Sequence, residues 1–217
     1  MTTAAVALAW LFSLCLHEFS HALVAYLGGD TTVKEKGYLT FNPVKYAHPI
    51  LSLAMPLVFL FLGGIGLPGG AVYIERERLR SRGWQSAVSL AGPASNLTLA
   101  VVLSLPFLLG FRPSGEGWLW PAYSFFIVLQ VSAVLLNLLP LPGTDGFGIL
   151  APWLSRSTRE SADHLSSAGI WILFLILWYV PPANEGFWNI IYAVSGALGV
   201  PLHLSWEGYQ AFKFWQH

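Results

Sequence analysis

Apolar residues run from Ala4 to Leu27, and the run is broken at its middle by His17, Glu18 and His21. At ~1.5 Å per residue such a helix is long enough to cross a ~30 Å hydrocarbon core. Gly28-Gly29-Asp30 reads as its stop. Thr31 to Tyr46 reads as a small β element: Thr31-Thr32-Val33, then Gly37 to Phe41, ending at Asn42-Pro43. Residues 50–66 are apolar but interrupted by Pro56, Gly63, Gly64 and Gly66, which suits a re-entrant segment buried in protein. A polar stretch follows, with Arg76, Arg78, Arg80 and Arg82 interleaved with Glu75 and Glu77. Further helices are predicted from about Trp84 to Gly110 and from about Pro121 to Leu139, and apolar segments at 167–180 and 187–202. In the tail, 203–217, Trp206, Tyr209, Phe212 and Trp215 fall three apart. That stripe reads either as a helix lying on the membrane surface or as packing against the bundle.

The pattern predicts an all-α polytopic membrane protein with about five to six transmembrane or re-entrant segments and a small β element after the first helix. Residues 1–217 are expected to form a single membrane-embedded domain, with a catalytic core of about 4–150 and C-terminal helices at 160–217. Composition agrees: of 217 residues, 55% are hydrophobic and only 10% charged, against roughly 25% charged in soluble domains. Net charge is zero and there is no basic patch, so no nucleic-acid partner is expected. The one cysteine, Cys15, excludes an internal disulfide and a thiolate zinc cluster; it lies about 200° round the helix from His17 and reads as packing. The first segment lacks the basic start of a signal peptide, and cleavage behind it would discard the histidines, so it is read as a retained helix.

Charged side chains inside a span are costly and default to function. His17 and His21, four apart, project from one helix face and can share a metal, and Glu18 beside them can accept a proton from water at that metal. A hydrolytic zinc needs a third protein ligand and an open position. Asp145 is the best candidate, because Pro140 and Pro142 break the preceding helix and Gly146 allows close backbone approach; Asp30 and Glu35 stay open. Asn96 or Asn137 could bind the substrate backbone or the oxyanion, or each could satisfy a carbonyl between helices. His48, His164, His203 and His217 read as interfacial or surface groups, with His48 also placed to reach the site mouth.

Topology follows from parity. If 50–66 crosses fully, the first and fourth helices end on opposite faces and Asp145 cannot meet the histidines. If it dips and returns, Lys34, Lys36, Lys45, the four loop arginines, Arg156, Arg159 and Lys213 share one face, with only Arg112 opposite. The positive-inside rule then makes the crowded face, and the site mouth, cytoplasmic.

The His17-Glu18-Phe19-Ser20-His21 pentad, the Gly92-Pro93-Ala94-Ser95-Asn96 stretch and the Asn137, Pro140, Pro142, Asp145-Gly146 pattern resemble, in order and spacing, the site-2 protease family of intramembrane zinc metalloproteases. The match covers roughly residues 10–150 and looks most like the compact bacterial branch without a PDZ domain, where Phe41-Asn42-Pro43 also has a counterpart. The resemblance implies His17, His21 and Asp145 as ligands of one zinc per chain, Glu18 as catalytic, and hydrolysis of peptide bonds in or near transmembrane segments of membrane-protein substrates. It also implies a multi-pass cell membrane location, the inner membrane of a bacterium. The chain departs from that branch at His48, where an Asp is common. Gly143-Thr144 replaces Pro-Leu, which is expected to loosen the turn before Asp145, and Phe147-Gly148 follows Asp145-Gly146. Two other functions fit the same residues: a non-proteolytic membrane scaffold, and a metal-transport protein. Intact Glu18 argues against the first, and the lack of a repeated polar helix against the second.

Overall fold

The computed structural model describes residues 1–46, 72–113 and 117–213; the 50–66 segment and His48 lie outside these. Three described helices are long and apolar enough to cross a membrane: α1 (Thr2–Gly28), α3 (Arg82–Leu108) and α4 (Leu119–Leu138). A short helix, α2 (Thr32–Glu35), follows the first of them and another, α5 (Asp145–Leu150), follows the last, before α6 (Arg156–Tyr179), α7 (Pro181–Ala197) and α8 (Leu202–Phe212).

No strand forms among the described residues, so the small β element is not present where it was expected. The reason is local hydrogen bonding. The fully buried carboxylate of Asp30 accepts from Thr32 N at 3.0 Å and Thr32 Oγ1 at 2.6 Å, which starts α2 in place of an extended run. Gly37, at φ +75°, turns the chain after it. Asn42 Oδ1 then accepts from Val44 N and Pro43 opens a 3₁₀ turn. The β-branched residues were outvoted by these caps. The count of five to six segments is likewise not supported: α6 begins with charged residues, and α7 ends at Ala197 before the Gly199 turn and Pro201.

α1 stops where the glycines predicted. Gly29 adopts φ +119° and its N–H reaches the carbonyls of Ala25 and Tyr26. Arg80 N donates to Gly28 O at 3.0 Å, and Lys36 pairs with Glu75 at 2.9 Å. The end of α1 and the start of α3 therefore lie side by side, the shared face that parity required. Asp30 adds a second tie, accepting from Glu75 N at 2.7 Å.

α4 is the central span and the most buried of the three. One face packs with Val6, Trp10 and Leu14 of α1 and Phe212 of α8; another joins Phe107 of α3, Leu173 and Leu177 of α6, and Phe187 and Ile191 of α7. The tail stripe is thus divided. Phe212 is fully buried against Phe125, and a Cβ at Gly208 would run into the Pro121 carbonyl, while Trp206 stays exposed. Packing against the bundle holds this helix.

Candidate metal centre

His17 and His21 sit about 16 Å and about 10 Å of helix rise before the end of α1, and both rings are buried. Each ring is oriented by its Nδ1. His21 Nδ1 lies 2.6 Å from Val88 O, and His17 Nδ1 lies 2.6 Å from Asn96 Oδ1. A carbonyl oxygen only accepts, so each Nδ1 carries the proton and donates it. Each Nε2 is then left with a lone pair. The two Nε2 atoms are 3.0 Å apart, His17 Nε2 is 3.2 Å from Asp145 Oδ2, and His21 Nε2 is 3.4 Å from Asp145 Oδ1. Among the described residues this is the one group of three such side chains able to hold a metal.

Two glycines make the approach possible. A Cβ at Gly92 would overlap Nε2 of both histidines, so α3 can press on the rings only with no side chain there. Pro93 follows and lacks the N–H that the Ser89 carbonyl would accept, weakening the helix ladder in the turn from which Val88 O reaches His21. Gly146 serves the other side, where a Cβ would strike the carbonyls of Leu138 and Leu139 at the end of α4. Gly148 in turn lies flat on Ser89, which accounts for glycine at a position where the family pattern differs.

The turn before Asp145 is pinned, contrary to the loosening expected from Gly143-Thr144. Gly143 takes φ +96°, and the buried hydroxyl of Thr144 is directed at the carbonyls of Leu139 and Leu141. Those carbonyls follow the break of α4, and each also accepts one backbone N–H, Leu139 O from Leu141 and Leu141 O from Thr144. A leucine in the same place would offer them no side-chain donor.

Glu18 is 3% exposed and accepts from Val72 N at 3.2 Å through Oε2. It is near enough to His17, His21 and Asp145 to interact with each through space. Asp145 is the open edge of the cluster, with a fifth of its side chain exposed against under a tenth for either ring. Asn96 directs its carboxamide at His17 and at Gln130 Oε1, 2.8 Å away, and Asn137 donates to Ala133 O of its own helix at 2.9 Å. Asp30 belongs to the α1–α3 tie, and neither it nor Glu35 is part of this cluster. Gln130 and Ser13 were missed by sequence reasoning. Both are buried polar residues in apolar spans, which was the available signal.

The donor set fits zinc. Two imidazole nitrogens and a carboxylate, each ring oriented by an outer hydrogen bond, are the ligands of a catalytic site with one position left for water. Three electron-rich atoms this close are stable only with positive charge among them, whether a proton or a metal ion.

Comparison with known proteins agrees. The chain is 44% identical over 206 residues to a protein of Mycolicibacterium smegmatis provisionally named zinc metalloprotease Rip2, covering 95% of this chain and 78% of the relative. The Mycobacterium tuberculosis protein of the same name, from strain H37Rv, is 41% identical over the same span. A Bacillus subtilis protein provisionally named zinc metalloprotease YwhC is 31% identical over 193 residues, 84% of each chain. No family model and no solved structure matches the chain.

Proposed function

Since the chain belongs to the site-2 protease family of intramembrane zinc metalloproteases, we propose that it is a zinc-dependent endopeptidase that hydrolyses peptide bonds in or near transmembrane segments of membrane-protein substrates. The observation that carries the proposal is the convergence of His17 Nε2, His21 Nε2 and Asp145, lone pairs inward, within a span. His17, His21 and Asp145 would hold one zinc ion. Zinc at such a site acidifies water to a pKa of about 7 and polarises the scissile carbonyl.

The chain's own residues do the rest. Glu18 Oε2 is fixed by the Val72 N–H, leaving Oε1 to take the water proton. Glu18 then carries that proton to the nitrogen of the leaving amine. Burial keeps bulk water from competing, and Asp145 marks the side from which a substrate strand enters. Asn96 acts through His17, and not on the substrate.

The mouth is proposed to face the cytoplasm. Lys34, Lys36, Lys45 and the four arginines from Arg76 to Arg82 gather where α1 ends and α3 begins, and Arg112 follows the far end of α3. A cysteine at Ser81 should resist labelling from outside intact cells; labelling there would reverse the orientation. For the activity, Glu18→Gln should keep about one zinc per chain yet lower cleavage of single-span substrates by at least 10²-fold. Cleavage at the wild-type rate would overturn the assignment.

A further inference from the structure

A run of buried polar side chains crosses the three spans behind His17. Asn96 Nδ2 donates to Gln130 Oε1 at 2.8 Å, Gln130 Nε2 donates to Ser13 Oγ at 3.1 Å, and Ser13 Oγ donates to Trp10 O at 2.9 Å. Gln130 is wholly buried, and Ser13 and Asn96 nearly so. The direction of this run is dictated from its far end. The Trp10 carbonyl can only accept, so the single hydroxyl proton of Ser13 is committed to it. Ser13 Oγ must therefore accept from Gln130, which turns the Gln130 amide toward Ser13 and its carbonyl toward Asn96. Asn96 must then present its amide to Gln130 and its oxygen to His17. An Asn96 rotated by 180° would set two carbonyl oxygens against each other and offer His17 a donor. His17 would then carry its proton on Nε2, where it blocks the metal.

We propose that Gln130 is a positioning residue: relaying the polarity of the Trp10 carbonyl through Ser13 to Asn96, it locks His17 in the Nδ1–H tautomer that leaves Nε2 free for the metal. Helix α1 thus governs its own histidine, seven residues on, by way of α4 and α3. The proposal rests on the zinc site put forward above and adds to it a residue with no contact to the metal.

The test is zinc affinity of the purified full chain, with ring ¹⁵N shifts of His17 in the zinc-free protein as a second readout. Two variants separate polarity from packing. Gln130→Met keeps the shape but loses the acceptor facing Asn96. Gln130→Glu keeps an acceptor there whether or not its carboxyl is ionised. Polarity relay predicts that Gln130→Met weakens zinc binding 10- to 100-fold and admits the Nε2–H tautomer. It predicts less than a tenfold loss in Gln130→Glu, even where that variant melts lower. A purely structural glutamine predicts the reverse order, since an apolar isostere is tolerated and a buried carboxyl is not. Native affinity and tautomer in Gln130→Met, or a greater loss in Gln130→Glu than in Gln130→Met, overturns the relay. Failure of the wild-type chain to bind zinc would instead remove the site itself, so the two failures are told apart by the reference measurement.

Discussion

His17 and His21 are carried by a 27-residue helix, whereas Asp145 stands at the first position of a six-residue helix entered through a proline turn. On the helix side each ring has an outer hydrogen bond of 2.6 Å and a glycine of α3 pressed against it. On the turn side the carboxylate is partly exposed, and its position depends on one threonine hydroxyl and on Gly146. The contrast teaches where the site can give. The imidazoles are each held by an outer hydrogen bond and by the approach of α3, so adjustment to metal or substrate falls to the Asp145 turn.

That difference can be broken most severely from the helix side. Gly92→Ala places a methyl group on both Nε2 atoms, and zinc affinity should fall by more than about 100-fold with total helicity retained in circular dichroism. Native affinity would mean that α3 stands farther from α1 than described. Asp145→Asn comes next, at about 10- to 100-fold, because the amide keeps the shape and loses the charge. An unchanged zinc content would move the third ligand elsewhere.

Thr144→Val should cost less than about tenfold in zinc affinity, since it frees the turn without removing a ligand, and Thr144→Ser should restore the wild-type value. Native affinity in Thr144→Val with a loss in Thr144→Ser would show that the methyl group, and not the hydroxyl, sets the turn. The smallest effect lies in the tie between α1 and α3. Glu75 is held down to about 2 by hydrogen bonds from Lys36 and Arg78, below its ordinary value near 4.5. A depressed carboxylate stabilises the fold fully above pH 4.5, and the contribution is lost as pH falls toward 2. Thermal midpoints should therefore drop between pH 5 and pH 3 by slightly more in the wild type than in Glu75→Gln. Identical slopes would remove Glu75 from the account.

The same two regions explain what could be read from the chain alone. The helix side was legible because a four-residue spacing on a helix fixes a shared face, and because charge in an apolar run has few other reasons to be there. Asp145 was legible from its frame of prolines and glycine. The behaviour of its turn was not: the Thr144 hydroxyl finds its partners only when the broken end of α4 brings the Leu139 and Leu141 carbonyls within its reach. The extended reading of Thr31 to Tyr46 failed for a related cause, since Asp30 and Asn42 supply local hydrogen bonds that outweigh β propensity. Gln130 and Ser13 sit 117 residues apart in sequence, and no periodicity links them. Their pairing is a product of how α1 and α4 pack.

Zinc-edge X-ray absorption on gently extracted protein tests the central geometry most directly. The account predicts about one zinc per chain, bound by two imidazole nitrogens and carboxylate oxygen at about 2.0–2.2 Å, with one imidazole contribution lost in His17→Ala. A stoichiometric zinc without imidazole scattering, or no zinc at all, would contradict it.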